Sequence, residues 1–387
     1  MNNNTNRTRK NTMWAALLLM SLVGTNAALA ETVAPTAGSP QLQAQATPVA
    51  GSGAVGELNG PASSASFRQP EGLAVLPDGS VLVADSGNHL IRKISTGTVS
   101  TYAGFTVYRD AKGFPAGMLL DGPLNQSMFH QPQGLAVDQN GTLYVADAAN
   151  HAIRKITPQG VVTIAGDGVQ GDRNGTGKEA RFHSPSDVAV AEDGTLYVAD
   201  TLNHAIRKIA PDGRVTALNS LSDRTVELAN GYLESAGDFR DGKLSEAKFN
   251  EPSGIVLDAK GNLYVSDTGN QRIRYIDLQN ETVTTVAGGG EPYTKDALYA
   301  EGAYADGEAA EAKFQFPKGL AVTADGGLLI ADSMNHAIRY LHQGKVTTLG
   351  SSFSMPVAVK VDAQGKIWVA DAYAQTIQQI TAPQSDQ

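Results

Sequence analysis

The apolar positions of this chain fall in short runs, each closed by a Gly, Asn or Asp turn. In the stretch Phe129–Gly166 the run GLAV is followed by a turn at Asn140-Gly141. The runs LYVAD, AIRKI and VVTIAG come next. The pattern recurs from Phe67, Phe129, Phe182, Phe249, Phe314 and Phe353, each copy opening F-x-x-P. Runs of this length, rich in Val, Ile, Leu and Tyr and joined by tight turns, predict strands paired as antiparallel hairpins. The first two runs of each copy are continuously apolar, which predicts strands buried on both faces. Six four-stranded units of this kind must stack face to face, and closing the stack into a ring leaves only short, protected edges. The expectation is an all-β ring.

Each second run ends on an acid: Asp85, Asp147, Asp200, Asp267, Asp332 or Asp371. Three residues on stands Asn88, Asn150, Asn203, Asn270 or Asn335, with Ala374 in the sixth copy. Asn88-His89-Leu90 and the NHA triplets at 150–152, 203–205 and 335–337 carry a resemblance. The copies resemble NHL repeats, and the chain is similar to secreted bacterial propellers of that kind. The resemblance implies a six-bladed β-propeller. The sixth copy stops at Thr381 without a fourth strand, and QATPVAGSG at 45–53 resembles the missing one. The start of the domain is therefore expected to complete the last blade.

Outside the repeats, Arg7, Arg9 and Lys10 precede an apolar run from Met13 to Gly24, and Ala28-Leu29-Ala30 has the form of a cleavage site. The run is shorter than the roughly 20 residues that span a bilayer. Residues 1–30 are read as a signal peptide, 31–44 as a flexible leader, 45–382 as the propeller and 383–387 as a tail. The expected protein is secreted, with no membrane attachment after cleavage. Cysteine is absent, which excludes disulfides, thiolate catalysis and Cys-type zinc sites. The net charge is −9, about −12 without the leader, and an acidic chain disfavours nucleic acid.

The Phe starts are separated by 62, 53, 67, 65 and 39 residues. All but the last gap carry insertions, and these end in [DN]-G-x4-[AS]-x-F, read as a capped turn and a short helix leading into the next blade. Strand alternation places the insertions and the D-x-x-N turns on one rim, the default binding surface. Three insertions are aromatic: residues 102–120 with Tyr108 and Phe114, 219–240 with Tyr232, and 291–305 with Tyr293, Tyr299 and Tyr304. These rings either pack the insertions down or present a surface for a glycan or peptide.

Candidate chemistry is sparse. His89, His151, His204 and His336 share one repeat position, with Gln271 and Gln375 in the other copies. Equivalent turns on packed sheets lie on the order of 10 Å apart, too far for one zinc ion with ligands at roughly 2 Å. The histidines are read as structural. The Asp and Asn of the D-x-x-N turns are read as caps of their own backbone, and Arg92, Arg154, Arg207, Arg274 and Arg339 as partners of those acids between blades. After the F-x-x-P proline, Glu71, Gln133, Ser186, Ser253, Lys318 and Val357 open the innermost strands, with Asp187 where most copies have Gly. Of these, Glu71, Gln133, Asp187 and Lys318 are candidate ligand contacts at the channel, where some six-bladed enzymes hold calcium or zinc. No catalytic residue and no cofactor is assigned.

These features imply a non-catalytic, monomeric binding or scaffold propeller for an extracellular protein, peptide or glycan. The alternative is a metal-dependent propeller enzyme of the lyase or lactone-hydrolase kind with its site in the central channel.

Overall fold

The computed structural model describes residues 44–228, 231–290, 293–294 and 296–381, with the side chain of Tyr232 left aside. The residues read as a signal peptide, those read as a leader up to 43, and the tail lie outside the described residues. Among the described residues no helix is long and apolar enough to cross a membrane.

Blade 1 is formed by Pro70–Val75, Val81–Asp85, Leu90–Ser95 and Thr98–Ala103, from the axis outward. Blade 2 begins at Pro132–Val137, blade 3 at Pro185–Val190, blade 4 at Pro252–Leu257, blade 5 at Pro317–Val322 and blade 6 at Pro356–Val361. The innermost strands neighbour one another in a closed circle, with Pro356–Val361 beside Pro70–Val75. The all-β, six-bladed architecture is the one the repeats predicted.

The ring is closed as expected. Gln45–Ala50 runs antiparallel to Thr376–Thr381 and supplies the outer strand of blade 6. Opening this seam would expose two strand edges.

Apolar alternation explains the layers. The second strand of blade 1 is buried along its whole length, as is its counterpart in blades 2, 3 and 5. Six apolar clusters form, one at each blade interface. The F-x-x-P phenylalanines Phe67, Phe129, Phe182, Phe249, Phe314 and Phe353 plug these interfaces in turn and are almost fully buried. Truncating one to Ala would cost roughly 3–5 kcal/mol.

Close approach at the axis explains the glycines that open the inner strands. A Cβ on Gly72 would lie 1.9 Å from the Gln133 carbonyl oxygen, and one on Gly254 2.2 Å from that of Lys318. Asp187 occupies this position in blade 3. Its carboxylate accepts the N–H of Val188 at 2.9 Å and of Ile255 in blade 4 at 3.0 Å, linking two inner strands.

Candidate functional site on the insertion-bearing rim

The D-x-x-N turns are single 3-10 turns, Ser86–Asn88 in blade 1, and their acid does not cap them. Asp85 instead accepts the backbone N–H of Arg68, the Asn88 amide at 2.8 Å and the Arg92 guanidinium at 2.7 Å. Arg92 is fully buried over the Phe67 ring and also bonds Leu58 O, Ser66 O and Asn59. The same set recurs around Arg154, Arg207, Arg274 and Arg339 with Asp147, Asp200, Asp267 and Asp332. Three further expectations are corrected. The Arg–Asp pair lies within one blade, where it ties the leading loop of that blade to its own turn. The [DN]-G residue is a second acceptor for the guanidinium rather than a turn cap, and its Gly begins a two-residue edge strand such as Gly60–Pro61. The short helix that was expected is one 3-10 turn at Gly177–Glu179 and at Leu244–Glu246. In blade 6, where Arg is replaced, Gln378 reaches Asp371 at 3.1 Å.

Burial pushes the carboxyls of Asp85, Asp200 and Asp332 up to about 6 against the pull of their guanidinium partners. They are ionised at neutral pH, so each pair is a buried ion pair whose disruption strands a charge.

The histidine position is an interblade latch. Its residue adopts left-handed backbone, φ 58° at His89 and 49° at His151. The side chain accepts the backbone N–H of the pre-proline residue of the next blade. Gln131 donates to Nδ1 of His89 at 3.0 Å, Ser184 to His151 at 3.1 Å and Glu251 to His204 at 3.0 Å. Gln271 and Gln375 do the same through Oε1, to Phe316 at 2.6 Å and Gln69 at 2.7 Å. The five pre-proline residues held this way also have positive φ, a costly conformation that the latch supports. Burial holds the His89, His151 and His204 rings down to about 4. The rings are neutral, and since Nδ1 accepts, their proton sits on Nε2.

At the axis, Glu71, Gln133, Ser186, Asp187, Ser253, Lys318, Val357 and Lys360 line one narrow cavity of ≈ 50 Å³. That is room for a water or an ion, not for a sugar ring or a peptide. Burial raises the Glu71 carboxyl and Lys318 opposes it; Asp187 is likewise raised by burial and opposed by Lys360. Both Asp187 oxygens accept backbone N–H groups, one from its own blade and one from blade 4. Among the described residues no three His, Cys, Asp or Glu side chains converge.

The aromatic insertions divide in two. Tyr293 lies under Arg224, 3.8 Å from guanidinium to ring, and donates its hydroxyl to Asn270. Tyr299 donates to Glu251 at 2.9 Å and packs edge-on against Phe316. Tyr304 is half exposed, under Arg339 and bonded to Thr348. Tyr232 opens the strand Tyr232–Ser235, paired with Thr225–Leu228. The 102–120 insertion is different: Tyr108 is 63% and Phe114 49% exposed, with Val107 and Met118 also in solvent. Arg68 stacks on the Phe114 ring at 5.0 Å.

Glu251 is the residue that motif reading passed over. It is the pre-proline residue of blade 4, half-buried at the channel mouth. Burial, followed by the nearby Glu234 charge, pushes its carboxyl up to about 7 despite Tyr299 and Lys318. Its one sequence signal is being the sole acid among Gln69, Gln131, Ser184, Phe316 and Met355.

Comparison with known proteins agrees with this geometry. The NHL repeat family model matches residues 67–94, 129–156, 182–209, 249–274 and 314–339. The chain is 32% identical over 278 residues to protein SUPPRESSOR OF QUENCHING 1, chloroplastic, of Arabidopsis thaliana, covering 65% of this chain and 25% of that protein. It is 32% identical over 281 residues to NHL repeat-containing protein 2 of Bos taurus, covering 67% of this chain and 36% of that protein. In both cases this chain spans well under half of the relative's length. An auxiliary nutrient binding protein from Bacteroides thetaiotaomicron has the same fold, with a TM-score of 0.57 at 13% identity over 87% of this chain and 76% of that one. The blade that the family model leaves unmatched is the one in which Ala374 and Gln378 replace the Asn and Arg. The chain is a six-bladed β-propeller with NHL repeats in five of its blades.

Proposed function

We propose that the protein is a secreted, non-catalytic binding propeller that holds an extracellular protein, peptide or glycan on its insertion-bearing rim. The observation that carries this reading is the exposed cluster of Val107, Tyr108, Phe114 and Met118 on that rim, set against an axial cavity of ≈ 50 Å³. Rings that meet water on a folded surface, beside Arg68, Arg109 and Lys112, suit a partner rather than the core. The nutrient-binding propeller with this fold is in keeping with a binding role. The basic leader is the reason for placing the protein outside the cell, the acidic charge the reason for excluding nucleic acid, and a monomer is the expected state. The double variant Tyr108→Ala, Phe114→Ala should lose binding on a combined peptide and glycan array while its melting temperature stays within a degree or two of wild type, as exposed positions do. Unchanged binding would refute the reading.

A second reading has one observation in its favour. Glu251 is a carboxyl poised near neutrality, hydrogen-bonded to Tyr299 at the channel mouth, as a general acid or base would be. Loss of a lactonase or lyase activity in Glu251→Gln, with the fold intact, would support catalysis there.

A further inference from the structure

The latch side chains have a second arm, and its use follows a rule. Nε2 of His89 bonds the Pro115 carbonyl at 3.0 Å, the backbone of Ser235 hydrogen-bonds the His204 ring, and Nε2 of Gln271 donates to the Ala300 carbonyl at 3.2 Å. Pro115, Ser235 and Ala300 belong to the three aromatic insertions. They also share a register. Each lies three residues before the insertion residue whose N–H bonds the carbonyl of the next F-x-x-P phenylalanine: Met118 to Phe129, Asp238 to Phe249 and Ala303 to Phe314. The insertions are thus clamped over the latches by one repeated carbonyl contact.

Blade 2 breaks the rule. Its insertion bonds Phe182 through the Gly171 N–H, so the register residue is Gly168. That glycine turns left-handed, φ +85°, and its carbonyl does not reach the latch. His151 still accepts from Ser184 on Nδ1, so its Nε2 carries the proton, and among the described residues that N–H has no acceptor. The other departures differ in kind. Gln375 turns its amide to Tyr373 of its own turn, and His336 turns Nδ1 to the Ser354 carbonyl instead of accepting an N–H of the next blade. His183 lies beside the His151 ring, 5.7 Å between centroids and edge-on. The latches on either side are covered, His89 by Pro115 of the 102–120 insertion and His204 by Ser235 of the 225–235 hairpin, so the gap is the uncovered position between them.

We propose that this gap over His151 is the docking groove for an extended polypeptide segment of a partner. One backbone carbonyl of that segment takes the place that Pro115, Ser235 and Ala300 fill over the neighbouring latches. The inference rests on the reading of this rim as the binding face, and it names the ligand class: a peptide backbone rather than a sugar. A metal ion does not suit the site, because the nitrogen facing the gap bears a proton. The side chain of the partner next to that carbonyl meets the His183 ring on one side and the Tyr108–Phe114 cluster further along the rim.

The test uses the full protein, a combined array of short unstructured peptides and glycans, and two substitutions of the latch. In His151→Gln both arms survive, as Gln271 shows. In His151→Glu the acceptor arm survives and the donor is lost. Peptides selected with the wild type should bind His151→Gln within about threefold and His151→Glu at least about tenfold more weakly. On peptide addition the His151 Nε2–H resonance of 15N-histidine-labelled wild type should move, a readout that does not depend on either variant folding. Equal affinity for His151→Glu, an unmoved resonance, or an array that yields glycan binders and no peptides would each overturn the proposal. If the Tyr108, Phe114 double variant still weakens binding in those cases, the rim reading stands and only the groove falls. If it does not, both fall.

Discussion

The two halves of the elaborated rim use the same kind of residue to opposite ends. Over blades 3 to 5, Tyr293 and Tyr299 are drawn inward by Arg224, Asn270 and Glu251, and Arg224 also bonds the carbonyls of Gly237, Ala297 and Leu298. That one guanidinium fastens the 219–240 and 291–305 insertions to each other. Over blades 1 and 2 the 102–120 insertion is held by backbone contacts, by His89 on the Pro115 carbonyl and by the Glu57–Arg109 pair, and its Tyr108 and Phe114 rings stay exposed. The difference teaches that a tyrosine in an insertion is a fastener where a half-buried cation or acid awaits its ring and hydroxyl, and a contact surface where none does.

The largest effect should come from a change that removes the frame both halves share. Deleting residues 45–50 takes away the seam strand and should lower the melting temperature by about 10 °C or more, by the usual few degrees per kcal/mol for a domain of this size. A melt like that of wild type would mean the ring is closed some other way. Next comes Arg274→Ala, beneath the packed half, which strands the Asp267 carboxylate and should cost roughly 3–5 kcal/mol in denaturant unfolding.

A smaller effect separates the halves directly. Tyr299→Phe removes one hydroxyl bond to a half-buried carboxyl and should cost about 1–2 kcal/mol, whereas the Tyr108, Phe114 double variant should leave stability nearly unchanged and lose affinity. A reversal, with the open half destabilised and the packed half silent, would break the comparison.

A further effect is in pH. The His151 ring is held down to about 4 by burial, below its unfolded value near 6.5. The unfolded chain therefore binds the proton first, and the stability this residue supplies above about pH 6.5 is lost as pH falls towards 4. Wild type should lose stability relative to His151→Gln across that window, by no more than about 1.4 kcal/mol per pH unit. Comparing the two isolates the ring, because Asp85, Asp200, Asp332 and Glu251, raised by burial and acting in the opposite sense, are common to both. Parallel pH curves would show that His151 does not titrate as a latch.

The frame was legible because it repeats. Phe67 and its five counterparts and the Asp85 series announce themselves six times over, each with one physical job at one place in a blade, and the truncated sixth copy stands out against the five full ones. Pairing partners were less legible. The Arg92 series was visible, but whether it bonds its own blade or the neighbour depends on where the leading loop crosses, which spacing alone does not fix. The Nδ1 bonds of His89, His151 and His204 were hidden for a related reason: they join residues 42, 33 and 47 positions apart. Glu251 and Gly168 were invisible as a site because each matters as an exception, one acid among neutral pre-proline residues and one glycine that turns a carbonyl away.

Hydrogen exchange of the full protein with and without an array-selected peptide tests the central claim most directly. Slowed exchange should be confined to residues 105–120 and the Gly166–Ser184 stretch on the insertion-bearing rim. Protection on the opposite rim, along the axial strands, or only over the 225–235 hairpin would contradict it.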